Sequence, residues 1–208
     1  MTTPIKTASG EILSKEILSC DDIDEDLVGH PDSIYNDVYQ QQRVEWLASE
    51  LKANNAEKPI AEVGTACGYI LNKINGDIGI DIRCDRLVVA KRKYPSKKFY
   101  YGNILNMEPF YNFGIKTIIA AEILEHLPYN VAHHAIIHCL RSAPVVYYTV
   151  PNSETDPGVV QNQEHEWYPT TKNMVVLLEY TAKHINMVYT IKSDKNFFYG
   201  VIRRINAV

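Results

Sequence analysis

The spacing of hydrophobic residues along this chain changes near residue 58. Before that point, residues 33–54 carry apolar side chains at helical intervals, and Asn54-Asn55 closes the segment. This pattern predicts a helix over 33–54. The apolar positions that define it are Val38, Val44, Leu47 and Leu51.

After residue 58, short apolar runs alternate with stretches of helical spacing. Such alternation predicts βαβ units on a mostly parallel sheet with helices on both faces. The predicted strands lie at 59–64, 77–81, 98–103, 115–121 and 143–150, and the predicted helices at 68–75, 84–94, 128–141 and 170–184. Two further strands, at 185–191 and 196–205, follow each other without a helix, which predicts an antiparallel pair at the sheet edge.

The composition fits one α/β domain. Of the 208 residues, 46% are hydrophobic and 22% are charged, which is enough apolar material for a single core. Residues 1–30 are interpreted as an N-terminal extension, and residues 31–208 as the domain. No apolar run is long enough to span a bilayer, and the first ten residues lack the apolar core of a secretory signal. We therefore expect a cytoplasmic protein without membrane contact.

Charge and cysteine content narrow the function classes. The formal net charge of −4 gives no overall attraction to nucleic acid. Residues 83–98 carry seven basic residues and one acidic residue, for which a solvated helix face is the favoured interpretation. The four cysteines form no CxxC pair, which predicts reduced thiols rather than a zinc knuckle or a disulfide framework.

A glycine-containing loop follows the first predicted strand of the sheet. It runs from Glu62 to Gly68, and Asp81 ends the next strand nineteen residues after Glu62. Glycine in a strand-to-helix turn is by itself as often structural as functional. Ligands of open α/β sheets bind beyond the carboxyl ends of the strands, and an acidic residue about 20 positions on can bind ribose hydroxyls. Together, the glycine-containing loop and Asp81 predict a nucleotide-binding site.

Three polar residues follow the fourth strand of the sheet, in the segment EILEH. If this segment is a helical turn, Glu122, Glu125 and His126 share one face. Two carboxylates and an imidazole could bind a divalent metal or supply a general base. The alternative is that Glu122 caps a helix or contacts a cofactor while Glu125 and His126 face solvent.

A long loop at 151–169 follows the fifth strand and contains QEHEWYP. Loops of this length are usually functional or disordered, and His165 and Trp167 argue against disorder. Because both segments leave neighbouring strands, His165 could meet Glu122 above the sheet. Arg43, on the helix before the sheet, is interpreted as a surface residue rather than a partner of the cofactor.

The segment EVGTACG resembles the first motif of the Rossmann-like S-adenosylmethionine-dependent methyltransferases, an acidic residue followed by GxGxG, and GID resembles their second motif. The resemblance covers residues 58–184 and implies a three-layer fold with a mostly parallel seven-stranded sheet and an antiparallel edge. It places Glu62 and Gly64 near the methionine part of the cofactor, Asp81 at the ribose and Ile82 on the adenine. The chain departs from the motif at one position, where alanine replaces the usual glycine. The full implied set of cofactor contacts is Glu62, Gly64, Thr65, Ala66, Gly68, Asp81, Ile82, Asn103, Ile104 and Glu122.

Two methyltransferase groups share the later motifs. ExxEH followed by a proline-asparagine turn is similar to the ubiquinone-biosynthesis O-methyltransferases, and ExxEH followed by a histidine before Glu-Trp resembles the enzymes that 2′-O-methylate the 3′ ends of small RNAs. The second resemblance implies a metal, Mg²⁺ or Mn²⁺. Its ligands would be Glu122, Glu125, His126 and His165. The spacing between His165 and the Glu166-Trp167 pair is shorter than in the RNA enzymes. The chain also offers little room for an RNA-binding domain.

These observations predict an S-adenosylmethionine-dependent methyltransferase (EC 2.1.1.-) that O-methylates a hydroxyl of a small molecule or sugar. Glu125, His126 and His165 would be catalytic, either through a metal or as a general base. Two alternatives stay open: 2′-O-methylation of an RNA 3′ end, and a non-catalytic domain that binds S-adenosylmethionine. No NPPY-type sequence follows the fourth strand, so DNA bases are not expected as substrates.

Overall fold

The computed structural model describes residues 5–6, 12–14, 37–155 and 162–205. Most of the predicted extension at 1–30 lies outside the described residues, and the division into an extension and a domain stays a prediction. Inside the extension, two short strands, β1 (Ile5–Lys6) and β2 (Ile12–Ser14), pair with each other antiparallel.

The elements from residue 37 onward follow the predicted alternation. The helices are α1 (Val38–Ala53), α2 (Tyr69–Lys73), α3 (Cys84–Lys93), α4 (Tyr129–Ser142) and α5 (Thr171–Ala182). The strands are β3 (Ile60–Val63), β4 (Ile78–Asp81), β5 (Lys98–Tyr101), β6 (Thr117–Ala121), β7 (Val145–Pro151), β8 (Met187–Tyr189), β9 (Lys192–Ser193) and β10 (Phe197–Arg204).

The central sheet has the strand order β5-β4-β3-β6-β7-β10-β8, and β9 pairs with β10. The pairs from β5 to β7 are parallel, whereas β10 is antiparallel to both β7 and β8. The predicted mostly parallel sheet with an antiparallel edge is therefore confirmed. One detail differs: the short strand β9 is an eighth member, formed where the connection between β8 and β10 folds back onto β10.

Strand β6 shows why the sheet is covered on both faces. Its residues are all buried, and they alternate between two clusters: Ile118 and Ala120 pack with α4 and α5, while Ile119 and Ala121 pack with α1 and α2. This is the period-2 geometry of a strand buried on both sides. Each fully buried Ile or Leu contributes roughly 1.5–3 kcal/mol. The resulting three-layer core fixes the carboxyl ends of β3, β4 and β6 side by side.

Within the described residues, no helix is both long and apolar enough to cross a bilayer.

Candidate cofactor and metal site

A cavity of about 360 Å³ lies at the carboxyl ends of the parallel strands. Its volume is in the range of small-molecule sites. The predicted site residues that line it follow four successive strands: Gly64, Asp81, Ile82, Asn103, Ile104, Glu122 and His126. Leu105, Glu164 and two arginines of the basic stretch 83–98, Arg83 and Arg86, line it as well, although none of these four was predicted as a site residue.

The loop after β3 turns sharply under this cavity. Gly64 and Gly68 have φ values of +71° and +81°, and a Cβ on Gly64 would lie 2.5 Å from Cδ1 of Ile123. Only glycine fits this position without strain. Ala66 also has a positive φ, +47°. The alanine noted as a departure therefore occupies a backbone conformation that disfavours any side chain.

Glu62 supports this loop from inside the protein. Its Oε2 accepts hydrogen bonds from Oγ1 of Thr65 at 2.7 Å and from the backbone N–H of Leu71 at 2.9 Å. Burial raises the pKa of Glu62 to about 8, against the lowering effect of these hydrogen bonds. Glu62 does not line the cavity, and neither do Thr65, Ala66 and Gly68. The structure thus places these four residues where they shape the loop.

Asp81 connects the loop to the second strand. Its carboxylate accepts hydrogen bonds from the backbone N–H groups of Ala66 and Arg83, both at 2.8 Å, while the residue remains in the cavity wall. Ile82 is 55% exposed at the cavity, an apolar side chain available to pack on a ligand. On the next strand end, Asn103 accepts a hydrogen bond from the Leu105 N–H at 2.9 Å through Oδ1.

The segment after β6 is not the single helical turn under which Glu122, Glu125 and His126 would share one face. Glu122 has a φ of +52°, and a 3-10 turn begins only at Leu124 and ends at His126. The left-handed residue redirects the chain away from the strand, so the i, i+3, i+4 geometry does not apply to Glu122.

Three of the four predicted metal ligands come together above β6. One ligand atom each from Glu125, His126 and His165 lies within 4.8 Å of the others, and Nε2 of His126 is 4.0 Å from Oε1 of Glu125. Glu125 is fully buried, and neither of its carboxylate oxygens has a hydrogen-bond partner among the described residues. The interpretation of Glu125 as a solvated residue is therefore wrong. Two orphaned carboxylate oxygens beside two imidazoles form a donor set that fits a divalent metal.

Burial raises the pKa of Glu125 well above its ordinary value, and the nearby Glu122 carboxylate adds to the shift. Burial also raises the pKa of Glu122, with Arg43 acting in the opposite direction. A dication at this place would favour the charged form of both carboxylates, since an opposite charge lowers a carboxyl pKa.

The loop containing His165 is fastened onto this segment by hydrogen bonds. Nδ1 of His126 donates to the carbonyl of Glu164 at 3.0 Å, which leaves Nε2 as the nitrogen with a lone pair facing Glu125. The Glu166 N–H donates to the Glu125 carbonyl at 2.9 Å. Nε1 of Trp167 donates to the Leu124 carbonyl at 3.0 Å. The structure thus brings the two loops together as the sequence suggested, with residues 156–161 of the longer loop lying outside the described part.

Glu122 faces a different partner. Its Oε2 lies 3.4 Å from Nη1 of Arg43, and Glu122 is not part of the group formed by Glu125, His126 and His165. Arg43 is only 6% exposed and lies 5.6 Å from the ring centre of Phe197. The interpretation of Arg43 as a surface residue is wrong. The sequence held a signal: Arg43 precedes Leu47 by four residues, which places it on the buried face of α1.

Several solved structures have a similar fold. The methyltransferase domain of bacterial CtHen1-CN matches with a TM-score of 0.65 at 18% identity, over 78% of this chain and 98% of that one. The small RNA methyltransferase HEN1 matches with a TM-score of 0.65 at 17% identity, over 80% of this chain but 25% of HEN1. Magnesium protoporphyrin IX methyltransferase (ChlM) from Synechocystis PCC 6803, with bound SAH, matches with a TM-score of 0.62 at 15% identity, over 85% of this chain and 90% of that one.

These likenesses confirm the fold class: an α/β protein with the Rossmann-like architecture of these methyltransferases. No protein-family model and no curated protein matches the chain.

Proposed function

We propose that this protein is an S-adenosylmethionine-dependent O-methyltransferase that positions its hydroxyl acceptor on a divalent metal. One observation carries the proposal: His126 belongs both to the cavity wall and to the three-residue donor group, so the two sites adjoin at a single side chain. Neighbours of the same fold are methyltransferases, one of them with bound SAH, which supports the choice of cofactor.

The cavity residues suit an adenosine-containing ligand. The Asp81 carboxylate is available to ribose hydroxyls, Ile82 to the adenine face and Asn103 to the adenine edge. The amino-acid end of the ligand would then extend toward Gly64 and Glu122, the lining residues on the neighbouring strands. Orientation is the main task, because the sulfonium cofactor brings its own reactivity.

The donor group would hold the acceptor. Glu125, His126 and His165 would bind Mg²⁺ or Mn²⁺, with Glu122 close by as a fourth candidate. A bound metal supplies charge that lowers the pKa of a coordinated hydroxyl. Without metal, the free nitrogen of His126 is placed to accept the hydroxyl proton, since its Nδ1 already donates to Glu164.

Two kinds of acceptor are consistent with this chemistry. A small molecule or sugar follows from the sequence resemblance to ubiquinone-biosynthesis enzymes and is our first choice. The 2′-hydroxyl of an RNA 3′ end is the second, because two of the similar structures are Hen1 proteins, one of them described as a small RNA methyltransferase. Salt-sensitive binding of RNA would favour the second acceptor, since phosphate contacts weaken as salt rises.

The experiment is methyl transfer from labelled S-adenosylmethionine to small diols, sugars and RNA oligonucleotides, with and without Mn²⁺. We expect Glu125→Ala and His165→Ala to lose metal-dependent transfer by about 100-fold or more, while the exposed histidine variant His184→Ala behaves like the wild type. Unchanged turnover and metal dependence in the first two variants would overturn the metal role. Binding of S-adenosylhomocysteine without transfer to any hydroxyl would favour the non-catalytic alternative.

A further inference from the structure

Glu122 lies between the proposed cofactor cavity and the group of metal donors formed by Glu125, His126 and His165. Its side chain lines the cavity, and its neighbours three and four residues on belong to the metal-donor group. Its carboxylate, however, lies outside that group and contacts Arg43 at 3.4 Å. Glu122 therefore contacts Arg43 directly, while its carboxylate lies near enough to the donor group to raise the pKa of Glu125 without belonging to that group.

The contact between Arg43 and Glu122 is protected from water. Their side chains are 5% and 19% exposed, and the Arg43 guanidinium lies near the Phe197 ring. Separating a buried ion pair leaves an uncompensated charge, which is strongly unfavourable. Glu122 can consequently leave Arg43 only if another anion takes its place and if a cation receives the displaced carboxylate.

Both conditions are met when the two sites fill. On the proposed function, the adenosine of the cofactor lies at Asp81 and Ile82, and its amino-acid carboxylate points toward Gly64 and Glu122. Two carboxylates next to each other repel, so a cofactor carboxylate beside Glu122 would compete with it for Arg43, which contacts Glu122 but does not itself line the cavity. A metal held by Glu125, His126 and His165 would attract the displaced Glu122.

We infer that Arg43 is a positioning residue that couples the two sites. In the absence of cofactor it holds Glu122 away from the metal donors; when the cofactor carboxylate binds, Glu122 is released to become the fourth ligand. The inference rests on the proposed function. Coupling of this kind is reciprocal, so cofactor tightens metal binding and metal tightens cofactor binding by the same factor.

The deciding measurement is the Mn²⁺ affinity of the wild-type protein, obtained by calorimetry in the presence of two saturating ligands. S-adenosylhomocysteine carries the amino-acid carboxylate, and methylthioadenosine fills the adenosine part without it. We expect S-adenosylhomocysteine to tighten Mn²⁺ binding about tenfold and methylthioadenosine to leave it unchanged.

Variants locate the effect. Arg43→Met frees Glu122 permanently, so Mn²⁺ should bind tightly without cofactor and S-adenosylhomocysteine should add nothing. Arg43→Lys keeps the charge and should retain coupling. Arg141→Met removes an exposed arginine on α4 and should match the wild type. Thermal unfolding checks that each variant is folded, and the wild-type comparison decides the question if Arg43→Met is not.

Three results have distinct meanings. Equal tightening by both ligands shows that filling the cavity, rather than the carboxylate, changes metal affinity, and the inference is then wrong. An unchanged Mn²⁺ affinity with both ligands bound overturns it as well. Failure of Mn²⁺ or S-adenosylhomocysteine to bind at all contradicts the proposed function itself.

Discussion

At the scale of single residues, Glu125 combines complete burial with two carboxylate oxygens that accept no hydrogen bond from the described residues. A buried carboxyl group without a hydrogen-bond partner destabilises a fold, and such groups are found where function requires them. The two imidazoles next to Glu125 support the proposal that this carboxyl group binds a metal. Stability of the metal-free protein and metal binding should therefore respond in opposite directions to a change at this residue.

Glu125→Gln tests this opposition. Its side chain has nearly the same shape but cannot ionise, so at pH 8 without metal we expect the variant to be more stable by about 1–2 kcal/mol in urea unfolding. The difference should shrink as pH falls, because the raised pKa of Glu125 favours its protonated, neutral form in the folded protein. Mn²⁺ binding should be lost. A variant that is less stable at pH 8 would show that the carboxylate has a protein partner.

Glu62 is a second buried carboxyl, with a pKa raised to about 8. The folded state binds its proton more tightly than the unfolded state, so the stability it contributes is present below about pH 4.5 and is lost as pH rises through 8. Glu62→Gln keeps an oxygen for Thr65 and Leu71 and removes the titration. Between pH 5 and pH 9, the unfolding free energy of the wild type should decrease. The decrease should be smaller in Glu62→Gln, by roughly 3 kcal/mol.

The control for this measurement is Glu179→Gln, an exposed carboxylate on α5, which should retain the wild-type pH dependence. Parallel pH profiles for the wild type and Glu62→Gln would mean that Glu62 stays ionised in the folded protein.

At the scale of elements, the proposed metal site depends on two loops that are joined mainly by hydrogen bonds. The Trp167 indole donates to the Leu124 carbonyl and packs edge-on against Tyr129, with ring centres 5.0 Å apart. Trp167 thereby fixes the segment that carries His165. The cavity, in contrast, is built chiefly on strand ends that the sheet holds in register.

Trp167→Phe removes the hydrogen bond and keeps an aromatic ring. Because a buried hydrogen bond contributes about 1 kcal/mol, Mn²⁺ affinity should weaken about fivefold, whereas affinity for S-adenosylhomocysteine should not change. Trp46→Phe, on α1 beside Tyr199, is the matched aromatic control and should alter neither affinity. Equal losses of both affinities in Trp167→Phe would show that the loop supports the cavity as well.

The sequence predicted helices and strands better than it predicted the conformations and contacts of single residues. Short continuous apolar runs such as Thr117–Ala121 predict strands buried on both faces, because successive side chains of an extended backbone point to opposite faces of the sheet. The sharp turn at Gly64 and Gly68 was predictable as well, because a glycine in a strand-to-helix loop reflects a local backbone requirement. The conformation of Glu122 could not be predicted, since a positive φ at a residue other than glycine leaves no signal in the pattern of apolar residues. Arg43 was missed because its partner is 79 residues away in sequence.

At the scale of the whole molecule, both proposed ligand sites lie at the carboxyl ends of the parallel strands, next to the hydrophobic core. Ligands that bind only the folded state raise its stability by mass action, by about 2.7 kcal/mol at 100 times the dissociation constant. For a protein of this size, S-adenosylhomocysteine at that concentration should raise Tm by roughly 5–10 °C.

Mn²⁺ should add its own increase in Tm, and Glu125→Ala should keep the shift caused by S-adenosylhomocysteine while losing the shift caused by Mn²⁺. Differential scanning fluorimetry with each ligand alone and with both ligands together measures these shifts in Tm. Loss of both shifts in Glu125→Ala would indicate that the two sites form a single binding unit.

The left-handed backbone of Glu122 has a consequence for laboratory evolution. Glycine and asparagine adopt a φ of +52° more readily than glutamate does, so neither would strain the turn after β6. In a library randomised at this position, selection for folded, protease-resistant protein should enrich glycine and asparagine. Selection for methyl transfer should enrich glutamate instead. Sequencing both pools would then separate the requirement for a carboxylate in the reaction from the requirement for a residue that tolerates a positive φ.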